Sequence, residues 1–203
     1  MLLTLVTILK FKAMKKLLLV LMIVLLGTLL GSHVMGQDNN AVNNSLSLGM
    51  PELNLLSSIS GVVNLQLTTA IAGEAVASSA TDQAARVKIS SVVSGTQTRT
   101  LSAKVTTGTV PAGTALKLMA LTPNSSFGGT PGTLVGSDVL LSTVSDANII
   151  TGIGSCYSGV AADDGYVLKY TWGLNNPATT YGDVRAVSGG TSVTVTLTLS
   201  AGI

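Results

Sequence analysis

The chain of 203 residues contains one cysteine, Cys156, and one histidine, His33. A single cysteine excludes an intramolecular disulfide and any site built from several thiolates. Aromatic residues make up 3% of the chain and charged residues 10%, so neither aromatic stacking surfaces nor long charged helices have the material to form. What is abundant is Gly, Thr, Ser, Val and Leu, a composition suited to short strands and tight turns rather than amphipathic helices. An all-β domain is the expectation before any pattern is read.

The first 36 residues differ in character from the rest. Lys10, Lys12, Lys15 and Lys16 precede an apolar run from Leu17 to Leu30, and Gly31-Ser32-His33-Val34-Met35-Gly36 follows. The order basic, apolar, small is that of a secretory signal peptide, with cleavage expected between Gly36 and Gln37. Met14-Lys15-Lys16 reads as the more natural start, which makes residues 1–13 an upstream extension or a mis-assigned start. The competing reading is an uncleaved anchor, but the apolar run falls short of the roughly 20 residues a spanning helix needs. No cysteine stands near the cleavage point, so a lipid anchor is excluded. The expected mature chain, Gln37 to Ile203, is exported, to the periplasm, the cell surface or the medium, with no membrane attachment after cleavage. Its residues 37–49 are a polar, flexible extension and residues 50–203 a single domain.

Loss of the leader also removes four lysines. Seven basic side chains then stand against nine acidic ones, a net charge of −2, and no basic cluster remains for nucleic acid or an anionic membrane. His33 goes with the leader, so a Ser-His-Asp or Cys-His catalytic arrangement is excluded, as is imidazole ligation of a metal. Glu52, Glu74 and seven aspartates provide carboxylates, but none sits in the aromatic setting of a glycosidase site. We expect no enzyme and no cofactor. Cys156 reads as a buried small apolar residue, with a free thiol or an intermolecular bridge as alternatives.

The clearest local structure is the stretch Ser192 to Ser200. Val193, Val195, Leu197 and Leu199 alternate strictly with Thr194, Thr196 and Thr198, a period of two in strand-favouring residues. Tyr166 to Leu174 is the second, with Tyr166, Leu168, Tyr170, Trp172 and Leu174 on one face. Val62 to Thr69 reads as the first firm strand, preceded by an irregular segment holding Leu53, Leu55, Leu56 and Ile59. Residues 71–85 read as a loop with extended portions or a turn of helix. Arg86 to Val93 and Arg99 to Thr106, joined through Gly95-Thr96-Gln97, read as a local hairpin. Leu116, Leu118 and Ala120 mark a further strand, residues 122–136 a loop rich in Gly and Pro, and Val139–Leu141 and Asn148–Thr151 short strands. About eight strands punctuated by turns indicate an antiparallel β-sandwich of Greek-key, immunoglobulin-like type.

Two local patterns carry chemistry on their face. Gly152-Ile153-Gly154-Ser155-Cys156-Tyr157-Ser158-Gly159 lacks both the spacing and the following helix of a nucleotide loop, and reads as a turn. Asp163-Asp164-Gly165 is a hairpin turn or a weak calcium site, the latter only if Asp138, Asp146 or Asn148 joins it. Phe127, Tyr157 and Tyr181 are the aromatic residues left for loops, a thin platform for a sugar.

A resemblance adds to this reading. Met50-Pro51-Glu52, Val110-Pro111-Ala112-Gly113-Thr114 running into Leu116-Lys117-Leu118, the glycine-rich stretch 152–159, Leu168-Lys169-Tyr170-Thr171 and the closing threonine-rich strand carry it. Over most of the expected mature chain they resemble a group of secreted bacterial β-sandwich proteins of uncharacterised role. More distantly, the architecture is similar to pilin and spore-coat-like subunits that assemble by exchanging β-strands. An N-terminal extension ending in Ser45-Leu46-Ser47-Leu48, and Gly190 ahead of the alternating last strand, fit that likeness. Gly202 in place of a next-to-last aromatic, and the lone Cys156 in place of a disulfide, depart from it. The resemblance implies a structural or adhesive surface protein whose partner is a second copy or another surface protein. The residues it singles out are Ser45, Leu46, Ser47, Leu48, Val193, Val195, Leu197 and Leu199. A carbohydrate-binding sandwich, with a glycan as partner, is the alternative. An uncharged, proline-free last strand points the same way, since its edge must be paired somewhere.

Overall fold

The computed structural model describes residues 12, 14–25, 44–59, 61–68, 71–76, 79–123, 127–187 and 190–201. The expected cleavage point and most of the extension, through residue 43, lie outside them. The chain divides into two units, Met1–Leu48 and Gly49–Ile203. In the first, residues 14–25 are helical, as an unbroken run of Leu, Val, Ile and Met with two lysines at its start allows. Among the described residues no helix is long and apolar enough to cross a membrane.

The second unit is all-β and built from two antiparallel sheets. The larger sheet contains β1 (Leu53–Ile59), β2 (Ser79–Val92), β4 (Thr114–Leu121), β5 (Gly128–Gly129), β7 (Val139–Leu140), β9 (Cys156–Tyr157) and β10 (Tyr166–Leu174). Its order is β5-β9-β2-β10-β4-β7, with β1 also paired to β2. The smaller sheet contains β3 (Arg99–Thr107), β6 (Thr133–Leu134), β8 (Ala147–Ile153) and β11 (Thr194–Leu199), in the order β11-β3-β8-β6. Between residues 176 and 184 a helical turn (Pro177–Thr180) and a 3-10 turn (Tyr181–Asp183) occupy part of the connection to β11.

The core lies between the sheets. Val87 and Ile89 of β2, Leu118 of β4 and Leu168 of β10 meet Leu101, Ala103 and Val105 of β3 and Ile149, Ile150 and Ile153 of β8. Period-two alternation delivers the β2 and β3 side chains to one face of each strand, β8 departs from it with the adjacent Ile149 and Ile150 both buried, and the burial of all of them holds the two-layer, sandwich-like arrangement together. The aromatic face expected on β10 is in place: Tyr166, Leu168 and Tyr170 are buried and Trp172 packs against the core. Gly165, just before β10, has φ +95°, and a Cβ there would run into the Val87 carbonyl, so only glycine permits that close approach.

Three expectations are corrected. The expected hairpin of Arg86–Val93 with Arg99–Thr106 does not form, because β2 and β3 belong to different sheets and the chain around Gly95 crosses between them. A local hairpin and an inter-sheet connection share the same turn signals, and the inward faces of both segments are better satisfied facing each other across the core. Leu53–Ile59 is not irregular but pairs along β2 from Leu53↔Val92 to Ile59↔Arg86. Residues 62–68 alternate half-buried and exposed but join no ladder. The Asn64 amide donates instead to the Asp82 carboxylate at 3.1 Å, a side chain standing in for a backbone acceptor.

Candidate functional site

The last strand lies at an edge of the smaller sheet. β11 pairs only with β3 among the described strands, in the register Val195↔Val105, Leu197↔Ala103 and Leu199↔Leu101. A register shift between Thr194 and Val195 marks where it enters the ladder. Leu199 is buried, whereas Val193, Val195 and Leu197 are half-buried, and Thr194, Thr196 and Thr198 face solvent. The other outer strands β5, β6 and β7 are two residues long. Short edges of that kind offer little template for pairing, whereas β11 and β1 each pair on one side alone among the described strands.

A groove runs beside the β11 edge, lined by Val193, Val195 and Leu197, by Val63, Leu65 and Leu67 of the segment after β1, by Leu56 of β1, and by Leu116, Leu168, Tyr170 and Trp172. Its volume is about 1310 Å³, and it is open to solvent along part of its length. Trp172 is fixed in the floor by its Nε1–H donating to the Thr114 hydroxyl at 2.9 Å. Burial pushes the Tyr170 phenol above its ordinary pKa, a sign of how poorly this floor solvates charge.

The groove closes at one end. The Asn54 amide of β1 donates to the carbonyls of Leu199 and Ser200, each at 3.3 Å, and so ties the edges of the two sheets together. Beside it lies Arg99, only 2% exposed. Its Nε donates to Ser91 Oγ at 3.3 Å, its Nη1 to the Ser200 carbonyl at 3.1 Å, and its Nη2 to Val92 O at 3.2 Å and Glu52 Oε2 at 3.3 Å. One buried guanidinium thereby joins the chain just before β1, the end of β2 and the residue after β11. A hydrogen bond from Ser94, and then the charge of Arg99, hold the Glu52 carboxyl below its usual pKa against some desolvation. Sequence reasoning missed this cluster, although a signal was present. Arg99 is in phase with Leu101, Ala103 and Val105, which places a charge on the inward face.

The remaining predicted residues are dispersed. Leu46 and Leu48 are 78% and 91% exposed, and Ser45 and Ser47 are exposed as well; Met50, outside the predicted set, is also exposed. Asp164 accepts the Ala161 amide at 2.7 Å, and Asp163 lies 3.9 Å from Arg86. Asp138 pairs with Lys169 at 2.9 Å. Among the described residues no three His, Cys, Asp or Glu side chains converge as metal ligands would. Cys156 is buried, and burial pushes its thiol up. Of the three loop aromatics, Phe127 is taken into the interior against Tyr166, at 4.5 Å between ring centroids. Tyr166 itself donates to the Pro131 carbonyl at 2.6 Å, and burial pushes its phenol up to about 12. Tyr157 stays 63% exposed and Tyr181 40%.

Compared with protein families, curated proteins and solved structures, the chain matches none. The groove and the clamp therefore have to be read from their own chemistry.

Proposed function

We propose that the chain is an exported, non-enzymatic structural or adhesive subunit, an immunoglobulin-like Greek-key sandwich that self-associates by strand exchange. The observation that carries the reading is the free edge of β11 beside an open groove of mixed polar and apolar lining. A strand added beside β11 satisfies the backbone donors and acceptors of that edge and covers the half-buried row Val193, Val195 and Leu197. The segment Ser45 to Met50 has the matching form: Leu46, Leu48 and Met50 recur at the same period of two, three against three, and all are exposed. Burying three such side chains is worth roughly 5–9 kcal/mol before ordering costs are subtracted, enough to drive association between copies.

The test uses the full chain, expressed with its own N-terminus and purified from the cell fraction that receives it. Light scattering after size exclusion is expected to find assemblies that Leu48→Asp reduces to monomers, and intact mass is expected to place the N-terminus at Gln37. A wild-type chain that stays monomeric at high concentration overturns the exchange reading. Saturable binding on a glycan array, unchanged in Leu48→Asp, replaces it with the sugar-binding alternative.

A further inference from the structure

We propose, resting on the exchange reading above, that Asn54 is the stop that fixes how a neighbour's strand is received: the donated segment lies antiparallel to β11, with Leu46 opposite Leu197, Leu48 opposite Val195 and Met50 opposite Val193.

The free edge of β11 is shorter than the strand itself. Along a strand in an antiparallel ladder, successive residues turn their N–H and C=O groups to opposite sides. The Ser200 amide donates to the Thr100 carbonyl at 2.9 Å, in line with the β11–β3 register, so Ser200, Thr198 and Thr196 turn their backbone groups toward β3. Leu199, Leu197 and Val195 therefore turn theirs to the open side. There the Asn54 amide donates to the Leu199 carbonyl at 3.3 Å, which takes that residue out of reach of a partner strand. The Ser200 carbonyl next to it accepts from Asn54 and from Arg99. What is left to pair is the backbone of Val195 and Leu197, with Val193 ahead of them.

Direction follows from the two ends of the groove. At Leu199 it is closed by Asn54, and β11 runs toward that closed end. Toward Val193, among the described residues, no hydrogen bond joins residues 62–68 to residues 191–197. The donated segment is followed, after only Pro51 and Glu52, by β1 of the donor's own folded unit. A folded unit cannot enter the groove, so the Met50 end must leave by the open end. Ser45 then points to the closed end, and the segment runs against β11.

Register follows from the face and the stop. Residues directly opposite in a ladder share a face, so Leu46, Leu48 and Met50 must stand opposite Val193, Val195 and Leu197, which line the groove, and not opposite the threonines. A step of two residues toward the closed end sets Leu46 opposite Leu199 and requires Asn54 to leave the Leu199 carbonyl. A step of two the other way sets Met50 opposite the exposed Thr191 and leaves Leu197 facing Asn44. Only the register between them matches three apolar side chains to three.

Cysteine pairs in the full chain, each carrying Cys156→Ala, test this. Hydrogen-bonded partners lie about 5.5 Å apart at Cα, within reach of a disulfide. Leu46→Cys with Leu197→Cys is expected to link copies into disulfide-bonded oligomers on mild oxidation. Leu46→Cys with Val193→Cys reports a parallel strand, and Leu48→Cys with Leu197→Cys reports the slipped register. Each is expected at roughly a tenth of that yield or less, and Asn54→Ala is expected to raise the slipped product at least about fivefold, as loss of a hydrogen bond to the edge allows. Asn54 is exposed, so its truncation spares the core.

A measurement without cysteines stands beside these. The Val195 and Leu197 amides are expected to exchange hydrogen more slowly in wild type than in the Leu48→Asp monomer, with Thr196 and Thr198 alike in both. Assemblies that link through Val193, that link equally well in the slipped register, that do not respond to Asn54→Ala, or that leave Val195 and Leu197 unprotected overturn the proposed docking while self-association stands. A monomeric wild type overturns the exchange reading and this docking with it.

Discussion

The two flanks of the second unit are made from the same kind of strand and end up in different states. On one flank the chain after β7 stitches the sheets together, with the Leu141 amide donating to Leu116 O at 2.9 Å and the Val105 amide to Ser142 O at 3.0 Å. Leu118, Leu141, Ile149, Ile150 and Ile153 are there at most 4% exposed. On the other flank Val193, Val195 and Leu197 alternate just as regularly but remain half-buried over the groove. Alternation therefore specifies which face a side chain takes, while burial depends on whether another element covers that face.

Mutations on the two flanks are expected to differ in cost. The largest effect is expected at the closed flank, where Leu118→Ala costs about 2–5 kcal/mol in urea denaturation, by lost burial and the cavity left behind. Leu197→Ala, measured on the monomeric Leu48→Asp background, is expected to cost less than half as much, because its site is already open. Equal costs would mean that something fills the groove in solution and would erase the difference between the flanks.

Arg99→Ala comes next, at about 2–3 kcal/mol, since its removal leaves the Ser91 hydroxyl and the Val92 and Ser200 carbonyls without their donor. Truncation of the equally charged but more exposed Lys169, paired with Asp138, is the control and is expected to change stability by under about 1 kcal/mol.

The smallest effect is at Glu52, and its signature is pH. Its folded-state pKa is lowered, so its contribution is complete above the unfolded pKa and is lost as pH falls through the folded one. Glu52→Gln is expected to lower the thermal midpoint slightly at neutral pH. The wild-type and variant midpoints should converge in acid below the ordinary glutamate range. Parallel curves across that range would show that the carboxylate does not act on the clamp.

Much of the fold was legible because it is local. The face of β11, the aromatic face of β10 and the inward rows of β3 and β4 all follow from alternation. The misread segments are those where partner choice matters. β1, Leu-Asn-Leu-Leu-Ser-Ser-Ile, has a broken alternation and is a strand because β2 offers it an edge. Residues 62–68 alternate well, yet the Asp82 carboxylate takes the Asn64 amide that a ladder would have used. The candidate site was half legible. Val193, Val195 and Leu197 were marked by pattern, whereas Val63, Leu65, the aromatic floor and Arg99 reach it from distant points in the chain.

Composition and periodicity by themselves determined that the chain is mostly β, that its final strand presents an apolar and a threonine face, and that Ser45 to Leu48 begins an alternation of the same period as that strand. Each is a property of neighbours along the chain. Only the tertiary structure decided that β11 is an edge, that the edge opens on a groove instead of a closed core, and that Arg99 binds both ends of the domain together. Those outcomes depend on which strands pair across long stretches of chain, as Leu199 does with Leu101, where burial and hydrogen bonding compete over the whole molecule and no local signal ranks the alternatives.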